Sequence, residues 1–109
     1  MTNFTRVGFE NVCGTSLDGY VTRTLAEMVE AFGEPHRHVE GGDKTDAEWV
    51  LRFDDGTIAT IYNYKDGKNY LGDEGLAVED IAEWHIGGLH TRRGRATELV
   101  HQVIAEVFP

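Results

Sequence analysis

The chain has 109 residues, 40% of them hydrophobic and 27% charged, which is typical of one folded domain rather than two domains or a disordered segment. Nineteen acidic residues against ten basic ones give a net charge of −9, which argues against a protein that grips duplex nucleic acid. The lone Cys13 excludes an intrachain disulfide, and neither a membrane span nor a signal peptide is recognisable. We expect a cytoplasmic domain that binds neither duplex nucleic acid nor membrane.

The N-terminal third predicts a strand, a turn and a helix. Residues 4–12 alternate roughly between polar and apolar side chains, which is typical of a strand. The stretch GTSLDGY, at 14–20, consists of residues that favour turns. A helix is predicted at about 24–32, because Thr24 and Glu27 form a capping box ahead of an apolar stripe. That stripe must lie on a sheet.

The middle of the chain predicts a β-hairpin after a polar loop at 36–46. The segment AEWVLRFDDGTIATIYNYK, at 47–65, contains two apolar runs around Asp55-Gly56, a pair typical of a two-residue type I′ turn. A turn of that length fixes which residues face each other across the hairpin. The predicted cross-strand pairs are Asp54 with Thr57, Phe53 with Ile58, Leu51 with Thr60, and Trp49 with Tyr62.

The C-terminal part predicts an excursion, a strand and a second helix. Residues 66–82 are acidic and rich in glycine, which indicates a mobile, irregular segment. AEWHIGG, at 82–88, predicts a short strand, and the apolar spacing from Ala96 to Val107 predicts a helix. The whole order indicates an α+β two-layer domain, with a mostly antiparallel sheet backed by helices.

Motifs for covalent or metal chemistry are absent from the sequence. There is no GxSxG elbow, P-loop, HExxH or EF-hand string, and Cys13 has no evident base partner. His36 and His38 flank Arg37, whose charge opposes a bound cation, so a solvated loop is the simpler interpretation. We expect no metal and no cofactor.

A first candidate for ligand binding is the predicted last strand. His85 alternates with Trp84 and Ile86, so it points to the opposite face of the sheet. Gly87 and Gly88 follow it and allow a ligand to approach the backbone closely. The competing interpretation is a solvent-facing or satisfied histidine followed by a turn.

A second candidate is the basic cluster of Arg92, Arg93 and Arg95. These cations stand where the second helix begins, and a helix N-terminus disfavours positive charge. A phosphate-sized anion would resolve the conflict, and so would pairing with the acids of residues 66–83. Both interpretations stay open on the sequence alone.

A third candidate combines aromatic and hydroxyl groups. Tyr62 and Tyr64 alternate on one strand face and Lys65 follows, which offers rings for a base or sugar and a cation for a phosphate. Thr15 and Ser16 add hydroxyl donors. Two half-buried strand tyrosines without a ligand are the alternative. Taken together, the candidates predict a small polar ligand that carries phosphate.

Five sequence blocks across residues 9–90 resemble a family of small proteins encoded by tailed phages: GTSLDGY, FGEP, AEW, IYNYK and WHIGG. The resemblance implies a counter-defence factor of the anti-CBASS or anti-Thoeris kind, which sequesters a cyclic nucleotide immune signal without cleaving it. It also implies an oligomer with the ligand at or near a subunit interface. The blocks carry Thr15, Ser16, Tyr62, Tyr64, Lys65, Trp84, His85, Gly87 and Gly88.

Hypotheses of two other classes accompany this one. The net charge also fits an acidic mimic of nucleic acid that inhibits a host or defence protein, through residues such as Asp73, Glu74, Glu79 and Asp80. An enzyme acting on nucleotides, with His85 as general acid or base, lacks a second nameable catalytic group. We also expect a homo-oligomer, because apolar residues on both hairpin faces leave surface to bury.

Overall fold

A computed structural model describes residues 1–12, 14–38 and 44–109, and within these ranges six strands form one antiparallel sheet. The strands are β1 (Phe4–Arg6), β2 (Thr15–Thr22), β3 (His36–Arg37), β4 (Ala47–Phe53), β5 (Ile58–Tyr62) and β6 (Glu83–Leu89). The α-helices are α1 (Leu25–Phe32), α2 (Lys68–Leu71) and α3 (Arg95–Val107). Short 3-10 turns lie at Phe9–Asn11, Gly72–Glu74, Val78–Asp80 and His90–Arg92. The predicted α+β class is confirmed.

The strands follow the order β1-β4-β5-β6-β2, and β3 shares the outer side of β4 with β1. The helices α1 and α3 cover one face of this sheet. The residues buried between the layers include Leu25, Met28, Phe32, Trp49, Leu51, Ile61, Trp84, Ile86, Leu99, Val100 and Val103. No long helix within the described ranges covers the opposite face, which carries the site described below.

Two buried tryptophans fasten α1 to the sheet at both of its ends. The indole N–H of Trp84 donates to the carbonyl of Arg23 at 2.9 Å, and that of Trp49 donates to the carbonyl of Gly33 at 2.8 Å. The two rings meet edge to face, with centroids 5.1 Å apart. The backbone carbonyls just outside the two ends of α1 therefore find donors within the core.

Three elements follow the sequence prediction closely. The capping box of α1 is present, with Thr24 accepting from the Glu27 N–H and Glu27 accepting from the Thr24 N–H. The apolar stripe of this helix is buried on the sheet, as expected. The predicted last strand and second helix are also confirmed, as β6 and α3.

The predicted hairpin register is wrong by one residue. The loop contains three residues rather than two, because the N–H of Phe53 donates to Thr57 and the N–H of Gly56 donates back to Phe53. Gly56, at φ 87°, occupies the left-handed position of such a loop. The observed pairs are Arg52 with Ile58, Leu51 with Ala59, Val50 with Thr60, Trp49 with Ile61, and Glu48 with Tyr62.

The N-terminal assignments are also wrong in part. Of the predicted strand at 4–12, only Phe4–Arg6 forms a strand among the described residues, and Phe9–Asn11 forms a 3-10 turn. Residues 15–20 of the predicted turn lie instead within β2, which pairs with β6 at every residue except Asp18, and Gly14 alone is in a turn. A register shift between Leu17 and Gly19 accommodates the turn-forming residues as an irregularity in that pairing.

The two remaining segments contain short regular elements. His36–Arg37 of the predicted loop pairs with β4, and the acidic excursion contains α2, two 3-10 turns and the buried Ile81. Cys13 and residues 39–43 of that loop lie outside the described residues. No helix in the described ranges is long and apolar enough to cross a bilayer.

Candidate functional site

A row of polar and aromatic residues crosses the open face of the sheet. Cross-strand partners share a face, and the register joins His36, Glu48, Tyr62, His85 and Tyr20 on five adjacent strands. Trp84 and Ile86, on either side of His85, are fully buried in the core. The prediction that His85 points away from them is therefore confirmed.

His85 lies at the centre of a tyrosine cluster. Its ring centroid is 5.0 Å from that of Tyr20, 5.5 Å from that of Tyr62 and 5.3 Å from that of Tyr64. The side chains of Tyr20 and Tyr64 are 59% and 41% exposed. Exposed rings grouped in this way offer flat surfaces on which a base or sugar can stack.

A cavity of about 280 Å³ opens on this face, beside the tyrosine cluster. It brings together five residues that the sequence predicted as ligand-binding: Thr15, Ser16, Tyr62, Tyr64 and Gly87. These come from β2, β5, β6 and the segment after β5, so the sheet unites positions far apart in the chain. The other residues that line the cavity are Val12, Lys44, Thr45, Glu48 and Thr60.

Val12, between β1 and β2, lines one side of the cavity. These two strands pair with β4 and β6, so the chain must cross the sheet between them. Val12 lines the cavity, and the Phe9 ring packs on the His36 ring at 4.7 Å. The crossing therefore runs over the open face.

Lys65 follows Tyr64, which lines the cavity, and has a strained backbone conformation. Its φ of 64° is the only positive value among non-glycine residues of the described chain. Its ammonium nitrogen lies 5.2 Å from the ring centre of Tyr64 and 5.3 Å from that of Tyr70. Strain of this kind costs on the order of 1–3 kcal/mol and is concentrated at functional sites. The side chain offers a cation next to aromatic surface.

A buried amide network holds the segment that carries Lys65. The Asn63 side chain is fully buried, and its amide nitrogen donates to Asp46 and Asp66, each at 2.9 Å. Its oxygen accepts from the N–H groups of Asp46 at 2.7 Å and Ala47 at 3.0 Å. The backbone N–H of Lys65 donates to Lys44 at 2.7 Å. The chain after β5 is thus fixed to the start of β4.

Glu48 introduces a negative charge into the cavity. Its Oε1 lies 3.0 Å from Nε2 of His38, which donates to it. The pKa of the neighbouring Tyr62 is raised, first by burial of the phenol and then by the charge of Glu48. Tyr62 is therefore a neutral hydrogen-bond donor across the physiological pH range.

The arginine cluster lies away from the cavity. Arg92 donates to the Thr57 hydroxyl at 2.8 Å, and Arg95 binds the Asp55 carboxylate at 3.0 Å and also pairs with Glu98. None of the three arginines lines the cavity, and Thr57 precedes Thr60, the nearest lining residue of that strand, by three residues, or roughly 10 Å. The acids that pair with Arg92 and Arg95 are thus in the hairpin loop and α3, not in residues 66–83.

The N-terminus of α3 already holds an anion from the chain itself. Asp18 accepts from the Gly94 N–H at 2.6 Å, and from the N–H and hydroxyl of Thr97 at 3.0 and 2.7 Å. Burial acts to raise the pKa of Asp18, but these hydrogen bonds and the charge of Arg93 outweigh it and hold the pKa below its usual value. The carboxylate of Asp18 therefore supplies the negative charge that the arginine-rich N-terminus of α3 calls for.

The remaining predicted residue, Gly88, faces the helices. A Cβ on it would lie 2.9 Å from the Cβ of Ala96 on α3. Sequence reasoning missed Tyr20, Lys44, Thr45 and Glu48 as neighbours of the site. For Glu48 the missing information was the register, since one residue of slip moves a side chain to the other face.

In the described part of the chain, no three histidine, cysteine, aspartate or glutamate side chains are grouped as a metal site. Comparison with protein-family models and with curated proteins finds no match for the chain.

Proposed function

We propose that this protein is a non-enzymatic binding protein that captures a small, phosphate-bearing nucleotide on the open face of its sheet. One observation carries the proposal: Thr15, Ser16, Tyr62, Tyr64 and Gly87 line one cavity, with His85 and Lys65 against its aromatic side. Aromatic rings, hydroxyl donors and a cation in one place are the groups that bind a base, a sugar and a phosphate.

The size of the cavity limits what enters it. Sites for small molecules usually measure about 300–1,000 Å³, and this cavity is about 280 Å³. It accommodates one base and its sugar, and the phosphate then lies at the mouth near Lys65. A second nucleotide of a cyclic dinucleotide extends from there over the exposed rings of Tyr20 or Tyr70.

The resemblance of the five sequence blocks to tailed-phage proteins favours a cyclic nucleotide immune signal as the natural ligand. In this proposal the protein is a phage counter-defence factor in the host cytoplasm, acts as a homo-oligomer and returns its ligand unchanged. Sequestration requires tight stoichiometric binding rather than turnover, so no catalytic group is needed.

The proposal is tested by calorimetry with a panel of mononucleotides and cyclic dinucleotides, followed by mass spectrometry of the recovered ligand. We expect binding with an intact ligand. Tyr64→Ala removes a stacking surface and weakens binding about 5- to 150-fold, because stacking on one ring contributes roughly 1–3 kcal/mol. The matched control is Phe108→Ala, which removes a partly exposed ring at the end of α3, on the helix side of the sheet. Equal affinities for Tyr64→Ala and the unmodified protein contradict the proposal, as does a cleaved ligand.

A second candidate function is an acidic inhibitor that occupies the nucleic-acid groove of a host or defence protein. The observation that favours it is the exposure of Asp73, Glu74, Glu79 and Asp80, whose carboxylates form no ion pair with described residues. Their replacement by Asn and Gln is expected to abolish inhibition of such a target, and high salt is expected to weaken it. Unchanged inhibition by that variant contradicts this candidate.

A further inference from the structure

The Glu48 carboxylate has a place in the cavity that a phosphate-binding role does not explain. It lines the cavity, and its side chain is only 18% exposed. Its negative charge repels a phosphate at close range. An anionic ligand must therefore enter with an uncharged part towards Glu48 and its phosphate towards the lysines.

The hydrogen bonding of Glu48 is incomplete in the free protein. Oε1 accepts one hydrogen bond, from His38, while Oε2 accepts none from the described residues. An ionised carboxylate has about four acceptor sites and no donor. Both oxygens can therefore accept from a ligand, and the ligand group they select must be a donor.

The base edges of nucleotides differ in what they offer to such a pair of acceptors. The Watson–Crick edge of guanine presents two adjacent donors, N1–H and the N2 amine, spaced to reach both oxygens of one carboxylate. Hypoxanthine presents only N1–H. Adenine presents one amine beside the N1 lone pair, which a carboxylate repels.

We propose that Glu48 is the specificity-determining residue of the cavity and selects a guanine base. The inference rests on the proposed function, since it concerns the same site. Tyr62 is the cross-strand partner of Glu48 and lies on the same face, so a base bound to the carboxylate in its plane can lie against that ring. His38 holds the carboxylate in place from the side.

The test measures the affinities of guanosine, inosine and adenosine 5′-monophosphates at one ionic strength. We expect guanosine monophosphate to bind at least about tenfold more tightly than inosine monophosphate, because a hydrogen bond to a charged group is lost. Adenosine monophosphate should be weaker still. Glu48→Gln should remove most of the preference for guanine, whereas the control Glu34→Gln, on an exposed residue, should keep it.

The outcomes separate the two proposals. Binding of all three nucleotides with similar affinity overturns the guanine inference and leaves the proposed function standing. Failure of every mononucleotide and cyclic dinucleotide to bind overturns the proposed function itself. The comparison of three ligands on the unmodified protein decides the inference even if Glu48→Gln does not fold.

Discussion

Asp18 on β2 accepts two hydrogen bonds from Thr97 on α3, one from its backbone N–H at 3.0 Å and one from its hydroxyl at 2.7 Å. Thr97 is the third residue of α3, whose N–H an N-cap side chain usually satisfies. The Gly94 N-cap has no side chain, so a strand residue supplies the cap instead. The same contact joins the edge of the sheet to the helix.

The first prediction concerns this cap. Asp18→Asn removes the negative charge at the helix N-terminus and is expected to lower the free energy of unfolding by about 1 kcal/mol. For a domain of this size that corresponds to a Tm lower by roughly 4–8 °C, measured by calorimetry at pH 7. The control Asp54→Asn, on an exposed loop residue, should change the Tm little.

The stabilisation by Asp18 should depend on pH. Its folded-state pKa lies below the ordinary value of 3.8, so the contribution is complete above about pH 4 and is lost as the pH falls through the folded-state pKa. The Tm difference between the unmodified protein and Asp18→Asn should therefore shrink in acid. A difference that persists unchanged to low pH contradicts the assignment of the cap.

The second prediction concerns Asp55, whose pKa is lowered to about 2 by hydrogen bonds from Thr57 and, to a smaller extent, by Arg95. The ionised form contributes stability above about pH 4, and that contribution is lost between pH 4 and 2. In an NMR titration, Thr57→Val should raise the pKa of Asp55 more than Arg95→Gln does. The reverse order would show that the arginine, rather than the loop, controls this carboxylate.

The sequence correctly predicted the elements whose stabilising interactions lie within a few residues of each other. The capping box at Thr24 and the apolar stripe of α1 are complete within nine residues, and the helix forms as expected. In the hairpin, Asp55-Gly56 serves a two-residue turn and a three-residue loop equally well, since both place glycine at a positive φ. The sequence indicated a hairpin but could not choose between registers that differ by one residue.

The features that the sequence did not predict depend on contacts between segments that are distant in the chain. The stretch 14–20 has the composition of a turn, yet pairing with β6 makes it a strand, because tertiary contacts override weak local propensity. Alternation correctly put Tyr62 and Tyr64 on one face and turned His85 away from Trp84 and Ile86. The predicted register, however, set Tyr62 opposite Trp49, whereas the structure pairs it with Glu48 and His85. No periodicity connects Asp18 with α3. The sequence therefore showed the excess of positive charge at the start of α3 but did not show that Asp18 balances it.

The third prediction tests the hairpin loop. Gly56 has a φ of 87°, and Gly56→Ala should lower stability by about 1–2 kcal/mol, since a Cβ disfavours this region. No atom lies within 4 Å of the added methyl group, so the loss is due to backbone strain and not to a clash. Urea unfolding measures it. Gly56→Asn should lose less, because asparagine tolerates the left-handed region, and equal losses would contradict this explanation.

The fourth prediction concerns the network around Asn63. Asn63→Ala leaves the N–H groups of Asp46 and Ala47 without their acceptor and should cost about 1–3 kcal/mol. Hydrogen exchange should accelerate at the amides of Lys65 and Leu76, whose bonds hold the excursion in place. The control Asn3→Ala, on an exposed residue, should leave both amides protected. Unchanged exchange in Asn63→Ala would show that residues 66–82 keep their structure without the hydrogen bonds of Asn63.

The strand order has a consequence for how this chain folds. β2 pairs with β6, so Thr15 cannot form its backbone pairing before Leu89 is present. In the same way, β1 cannot pair before β4 is present. Closing loops of that length costs chain entropy before any pairing compensates for it, and a high contact order slows folding. Among the described elements, only the central hairpin, the helices and the 3-10 turns consist of neighbours in sequence. During synthesis, β1 and β2 therefore leave the ribosome before the strands they pair with, and the edge of β2 that bonds to β6 stays unpaired until β6 follows.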